Sequence, residues 1–260
     1  MPTPDHRAVL ASQHEFSVAQ RLYVWLACFF CACLLIADIV GIKLFRIPLP
    51  FSFRVPWADQ LIDAIEHTCG MITFPVTFLL TDLVNEYYGK KGARRITWIA
   101  LSMGLFVFVI MNIAQYLPYL NAPYNVKPES FDAVFGSAKG MYIASMVAFL
   151  AGQLSDISLF ALFKRLTGGR MIWLRATGST VVSQMIDSFF VSFVAFYLWR
   201  KVFPDPATPA APFEDVLKIA ATGYMLKFVV AVAITPLIYA GHGMIHRWVG
   251  LTPLPAELKG

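Results

Sequence analysis

Five acids and one base stand inside stretches that are otherwise apolar: Asp38, Asp82, Glu86, Asp156, Asp187 and Lys227. Asp187 is the clearest case, with eleven uncharged residues before it back to Ala176 and twelve after it to Trp199. A carboxylate accepts hydrogen bonds in pairs, an ammonium only donates, and an amide does both. Amides and hydroxyls accompany these charges at helical spacing. Thr177, Thr180, Gln184 and Asp187 are three, four and three residues apart; Gln153 and Asp156 are three apart; Thr77, Thr81 and Asn85 are four apart, beside Asp82 and Glu86. On helices each set forms a polar stripe. Carboxylates accompanied by amides on three helices describe a polar cavity for a small hydrogen-bonding solute. Hydroxyls and amides also serve as glue between helices, but glue alone does not call for acids.

Catalysis has no carrier here. There is no Ser/His/Asp arrangement, no phosphate-cradling glycine loop and no His-Glu-x-x-His motif. Cys28, Cys31 and Cys33 fall within one apolar run and Cys69 is alone, which is not zinc spacing. His242 and His246 are four apart beside Arg247, as an interfacial pair would be. The expectation is a binding protein that is not an enzyme and holds no metal or cofactor.

The elements that position these residues follow from composition. Of 260 residues 58% are hydrophobic and 14% charged, against roughly 25% charged in soluble domains. Mean hydropathy is +0.62, and the chain carries 22 Phe and 6 Trp. A 29.0 kDa globule has too little interior for that much apolar side chain. The solvent must be lipid, which excludes disorder, a disulfide scaffold and a soluble α/β enzyme. Six apolar runs, at about 22–45, 68–88, 96–120, 141–163, 176–199 and 219–239, each match the ~20 residues that cross a bilayer core. The expected fold is an all-α integral membrane bundle of six transmembrane helices spanning 22–240, between a polar tail at 1–21 and a cytoplasmic tail at 241–260. The first run starts too late and continues too long for a secretory signal, so it stays as a helix.

Orientation follows from Lys and Arg in short loops. Lys90, Lys91, Arg94 and Arg95 follow the second run, and Lys164, Arg165, Arg170 and Arg175 follow the fourth. Six spans with both termini cytoplasmic put both clusters inside. The net charge of +5 is then a property of topology and not of a nucleic-acid partner; the partner is the bilayer. Thr81-Asp82 and Ser155-Asp156 each precede a basic pair at the same distance, an echo that transporter repeats would leave, as would the ordinary basic ends of cytoplasmic helices.

A charge at mid-membrane costs roughly 2.5–3.5 kcal/mol on an insertion scale, so each needs a partner or a cavity. Glu86 lies close enough to a helix end to be solvated there. Lys227 is deep, and its partner is Asp187 or Asp38. Pro75 falls inside the second run and Pro236 inside the sixth, each freeing a carbonyl one turn earlier.

Phe74-Pro75-x-x-Phe78-x-x-Thr81-Asp82-Leu83-x-Asn85-Glu86-Tyr87-x-Gly89, then Ala93-Arg94-Arg95, resembles the signature of the queuosine-precursor transporters within the vitamin uptake transporter group. Gly152-Gln153-x-x-Asp156, Trp173, Ser179-Thr180, Asp187, Lys227 and Pro236 continue the likeness in order. It covers the membrane portion and leaves the tails out. Asp38 departs, standing where the family more often carries an amide.

The resemblance implies a bacterial inner-membrane importer of 7-cyano-7-deazaguanine and 7-aminomethyl-7-deazaguanine. Such a purine-like base offers a ring N–H beside an exocyclic amine, which a carboxylate accepts as a pair. Its carbonyl needs a donor from Gln153, Gln184, Asn85 or Lys227, and Phe74 or Tyr88 can cover its face. The expected binding set is Asp38, Phe74, Asp82, Asn85, Glu86, Gln153, Asp156, Thr180, Gln184, Asp187 and Lys227. Other readings remain: a carrier of a different nucleobase-like or vitamin-like solute, or a membrane assembly protein that does not transport. No nucleotide-binding motif is present to supply energy, and a homodimer stays open.

Overall fold

The computed structural model describes residues 16–41, 43–55, 60–135, 139–202, 204 and 210–255. The first fifteen residues of the N-terminal tail and the last five of the C-terminal tail lie outside the described residues.

Helix α1, Val18–Val40, opens with a capping box: Ser17 Oγ accepts from the Gln20 amide at 3.2 Å, and the Gln20 side chain accepts from the Ser17 amide at 2.9 Å. The helix stops short of residue 45. The chain turns into a hairpin, β1 (Leu44–Val55) antiparallel to β2 (Gln60–Thr68), with Leu44 opposite Thr68 and Val55 opposite Gln60. The first apolar run therefore ends in a strand. Phe45, Ile47, Leu49, Phe51, Phe53 and Val55 alternate with Arg46, Pro48, Pro50, Ser52 and Arg54, a period of two that a helix does not use. The register shifts between Pro48 and Phe53, where two prolines lack the N–H that a ladder needs.

A 3₁₀ turn, Cys69–Ile72, leads into α2, Phe74–Tyr116. Its 43 residues would reach ~65 Å, twice a bilayer core, if straight. Gly89 breaks it with φ 67° and ψ −177°, a left-handed φ that suits glycine. Contacts with α4 (Lys139–Leu166) show that the two arms run oppositely. In the first arm Thr81 meets Gln153 and Glu86 meets Lys164, rising together. In the second, Gly104 meets Tyr142, while Ala93, Ile96 and Ala100 share a core cluster with Ile157. Tyr23 Oη donates to the Gly92 carbonyl at 2.9 Å and Tyr88 Oη to that of Ala19 at 2.7 Å, pinning α1 to this turn from both sides.

After a short helix, α3 (Pro128–Phe135), and α4, the chain continues through α5 (Ile172–Ser192), π turns at Phe193–Leu198, α6 (Trp199–Val202) and α7 (Phe213–Met244), closing with a π segment at Ile245–Val249. Among the described residues five helices are long and apolar enough to cross a bilayer. Because α2 folds back on itself at Gly89, they give six spans. The protein is a multi-pass, all-helical membrane bundle, with the hairpin held in the connection between its first two spans.

Large apolar side chains face outward, Trp25, Phe106 and Val229 among them, each about 60% exposed; the interior holds the polar residues. Asp82, Asn85, Glu86, Asp156, Ser179 and Ser183 are all buried. Pro75 differs from its sequence expectation: α2 begins at Phe74, so the proline sits in the first turn, where no intrahelical partner for its nitrogen exists. Pro236 is inside α7.

Candidate substrate cavity

A cavity of about 280 Å³ opens into the half of the bundle that holds the hairpin and α3. Its walls come from α1 (Ala37, Asp38), the 3₁₀ turn and Thr73 before α2 (Gly70, Met71, Thr73), both arms of α2, α4, α5 and Lys227 of α7. Irregular backbone at membrane depth is tolerated where it lines such a space. Here Thr73 Oγ1 donates to the Gly70 carbonyl at 3.2 Å, and Thr77 Oγ1 to that of Phe74 at 2.8 Å.

Six of the residues expected to bind a solute meet around this cavity: Asp38, Phe74, Gln153, Gln184, Asp187 and Lys227. Lys227 Nζ is paired with Asp187 Oδ2, and it lies 5.1 Å from the centroid of the Phe74 ring, within reach of a cation–π contact. Of its two candidate partners, Lys227 thus has Asp187. Asp38 instead accepts from Ser145 Oγ at 3.1 Å. Gln153 Nε2 donates to Thr81 Oγ1 at 2.9 Å, which fixes the amide and leaves its carbonyl to the cavity. The Gln184 carbonyl oxygen is buried without a partner among the described residues. Phe74 stands edge-on to Phe78, with centroids 4.1 Å apart and planes at 84°.

α4 sets the scale of the site. Ser145 holds Asp38, and a Cβ on Gly152 would come within 3.1 Å of Asp187 Cβ. The two positions are two helical turns apart, roughly 10 Å along the axis. The acids thus stand at the two ends of a space walled by Phe74, Phe78, Phe108 and Phe149.

Five expected residues lie elsewhere. Asp82, Asn85, Glu86, Asp156 and Thr180 are buried below the cavity, toward the Gly89 turn. Asp156 Oδ1 accepts from Ser179, Ser183 and Thr180 at 2.9, 3.1 and 3.5 Å. Glu86 Oε2 is 3.3 Å from Lys164 Nζ. At 2% exposure Glu86 is not solvated as its position near a helix end allowed, because Lys164 and the C-terminal segment cover it: the Leu254 amide donates to the Glu86 carbonyl at 3.0 Å. His242 Nδ1 is 3.1 Å from Tyr87 Oη at the same end.

The expected stripe on α5 also divides. Thr177 meets Thr235, Thr180 meets Asp156, and Gln184 and Asp187 face the cavity. Steps of three, four and three residues, at about 100° each, rotate the last position about 80° from the first. Sequence reasoning passed over Tyr142 and Ser145, although Tyr142, Ser145, Phe149 and Gly152 keep helical spacing with Gln153; neutral residues raise no alarm in an apolar run.

Comparison with known proteins agrees with this architecture. The family described as "Putative vitamin uptake transporter" matches residues 68–241. A "Probable queuosine precursor transporter" of Bacillus subtilis (strain 168) is 29% identical over 194 residues, 72% of this chain and 78% of that protein. The "Queuosine precursor transporter" of Escherichia coli (strain K12) is 29% identical over 170 residues, 64% of this chain and 67% of its own. A relative from Haemophilus influenzae (strain ATCC 51907 / DSM 11121 / KW20 / Rd), also a "Probable queuosine precursor transporter", is 28% identical over 158 residues, covering 58% and 62%. No solved structure matches. Bacterial relatives and helical spans together place the chain in a bacterial inner membrane. The matched segment takes in the 3₁₀ turn, both arms of α2, α4, α5 and α7 up to Gly241, all the walls of the cavity but α1, and the chain belongs to this vitamin uptake transporter family, with the queuosine precursor transporters among its relatives and transport, not catalysis, as its activity.

Proposed function

We propose that this protein imports 7-deazaguanine precursors of queuosine, 7-cyano-7-deazaguanine and 7-aminomethyl-7-deazaguanine, through the cavity between α1, α2, α4, α5 and α7. The observation that carries this reading is the convergence of an ion-paired carboxylate, two amides and an aromatic pair on one space the size of a nucleobase. The names of the relatives support it.

Asp187 accepts the ring N–H and exocyclic amine of the base beside Lys227, its ion-pair partner. Lys227 donates to the base carbonyl, and Phe74 covers the ring face. A base lacking the amine leaves Asp187 unpaired and is rejected on that account. Asp38, roughly 10 Å away along α4, meets the substituent at the 7-position. An aminomethyl group arrives there as an ammonium and gains a charge-assisted bond; a nitrile gains none. With the basic clusters in the cytoplasm, the cavity faces outward and the Glu86–Lys164 end is the closed inner gate.

Counterflow in liposomes that contain only this protein tests the reading. Labelled 7-cyano-7-deazaguanine should exchange with unlabelled 7-aminomethyl-7-deazaguanine inside, and adenine should not compete. Asp38→Asn should weaken the aminomethyl compound about tenfold, the worth of one charge-assisted hydrogen bond, and spare the cyano compound. Absence of exchange for both compounds would sink the proposal.

A further inference from the structure

We propose that Asp156 is a proton-binding site behind the cavity floor and that the chain carries a proton across together with its solute. Gln153 and Gln184 form the floor. Asp156 follows Gln153 by one helical step of three residues, and Thr180, which donates to Asp156, precedes Gln184 by four. The carboxyl is 1% exposed. The hydrogen bonds from Ser179, Ser183 and Thr180 all fall on one oxygen, Oδ1, and the other, Oδ2, is buried with no partner among the described residues.

Two of the three donors are rotors with a second acceptor. Ser179 Oγ is 2.9 Å from Asp156 Oδ1 and 3.2 Å from the Ala176 carbonyl; Ser183 Oγ is 3.1 Å from Asp156 Oδ1 and 3.1 Å from the Thr180 carbonyl. A hydroxyl has one proton and accepts through its lone pairs. With both serine protons turned to Asp156, the carboxylate is solvated as an anion. With both turned to the backbone carbonyls, a serine oxygen is free to accept a proton carried on Asp156 itself. The same heavy atoms thus satisfy both states, so an O–H bond on the carboxyl forms on loading and breaks on release at no cost in repacking. A carboxylate built only for structure needs one arrangement.

Charged groups on the elements packed against this stretch of α4 include Asp82 and Glu86 on α2, Lys164 on α4 itself, Arg175 and Asp187 on α5 and Lys227 on α7. Lys164 is paired with Glu86 and Lys227 with Asp187, while the hydroxyls of Ser179, Ser183 and Thr180 solvate Asp156. Its place between the cavity and the Glu86–Lys164 end puts it on the line that a proton entering with the solute follows. The proposal needs a transporter, which the family supplies, and no particular solute.

Two measurements on the full-length protein in liposomes decide the matter. Infrared difference spectra between acid and alkaline pH, taken without solute, should show a protonated carboxyl band that Asp156→Asn abolishes. The double variant Ser179→Ala/Ser183→Ala keeps the carboxyl and its longer contact with Thr180, and should move that band to the higher frequency of a more weakly hydrogen-bonded carboxyl. Inward flow of 7-cyano-7-deazaguanine should acidify the lumen, and Asp156→Asn should lower protons moved per solute at least tenfold. An absent Asp156 band, an unmoved band in the double variant, an unchanged proton ratio in Asp156→Asn, or uptake that follows a sodium gradient with no pH change overturns the proposal. If the cyano compound does not move at all, the assigned solute fails and the infrared result still stands or falls by itself.

Discussion

At the scale of single residues, the pairing of Lys227 with Asp187 bears on stability and, in the function proposed, on recognition. Their side chains are 11% and 17% exposed, so the pair is nearly dry yet borders the cavity. Removing one member of a buried pair costs about 3–5 kcal/mol because the other charge is stranded, whereas removing both is often tolerated. Lys227→Met should therefore lower the amount of folded protein in the membrane, and Lys227→Met/Asp187→Asn should restore it. Quantitative blotting of membrane fractions reads both. A double variant no more abundant than Lys227→Met would mean that the pair does not bear on stability. Asp187→Asn alone keeps shape and one acceptor but loses two charge-assisted bonds to the base, each worth about 1.5–3 kcal/mol; uptake should fall at least tenfold per protein molecule. Uptake near wild type would free Asp187 from recognition and leave it as interhelical glue.

Elements show how much could be read in advance and why the rest could not. The six spans were legible because lipid imposes a length of about 20 apolar residues. The acids were legible because the bilayer penalises them. Boundaries were not: apolar content over 22–45 runs without a break across the end of α1 at Val40 into β1, and only the alternation from Phe45 to Val55 marks the strand. Spacing put Gln184 and Asp187 on the face that lines the cavity, but which helix each polar residue meets depends on packing, so Asp82, Asn85, Glu86 and Thr180 could not be parted from the cavity set beforehand. Lys164 was read as one of four loop charges; the fold buries it against Glu86. Glycines, silent in composition, set the close approach of helices. Gly152 brings α4 against α5 with no room beside Asp187, whereas a Cβ on Gly178 would meet Phe163 at an ordinary 3.4 Å. Gly152→Ala should push Asp187 away from its pairing position and reduce uptake several-fold, while Gly178→Ala should be close to neutral. Equal effects of the two substitutions on transport assays would show that the α4–α5 approach at Asp187 is not critical.

For the whole molecule, orientation decides what the cavity is for. The end of the bundle that holds the Gly89 turn also holds Lys90, Lys91, Arg94, Arg95, Lys164, Arg165 and Arg170, while the cavity opens toward the hairpin and α3 at the other end. Basic residues in short loops are retained in the cytoplasm, and on that rule we propose that the cavity faces outward. The basic end is closed by several layers: Glu86 with Lys164, Tyr87 with His242, and the segment after α7, whose Leu251 packs with Leu83, Tyr87 and Ile245 and whose Leu254 amide meets Glu86. An importer at rest with its site open to the supply has this shape, and an exporter would present the same cavity to the cytoplasm. Reporter fusions measure the orientation directly. A fusion at residue 125, in the connection between the second arm of α2 and α3, should report the periplasm, and one at the C terminus should report the cytoplasm. Both on the same side would mean that one of the six spans does not cross, with the Gly89 reversal the first to be questioned; the opposite assignment would turn the cavity inward and remove the reading of the Glu86–Lys164 end as an inner gate.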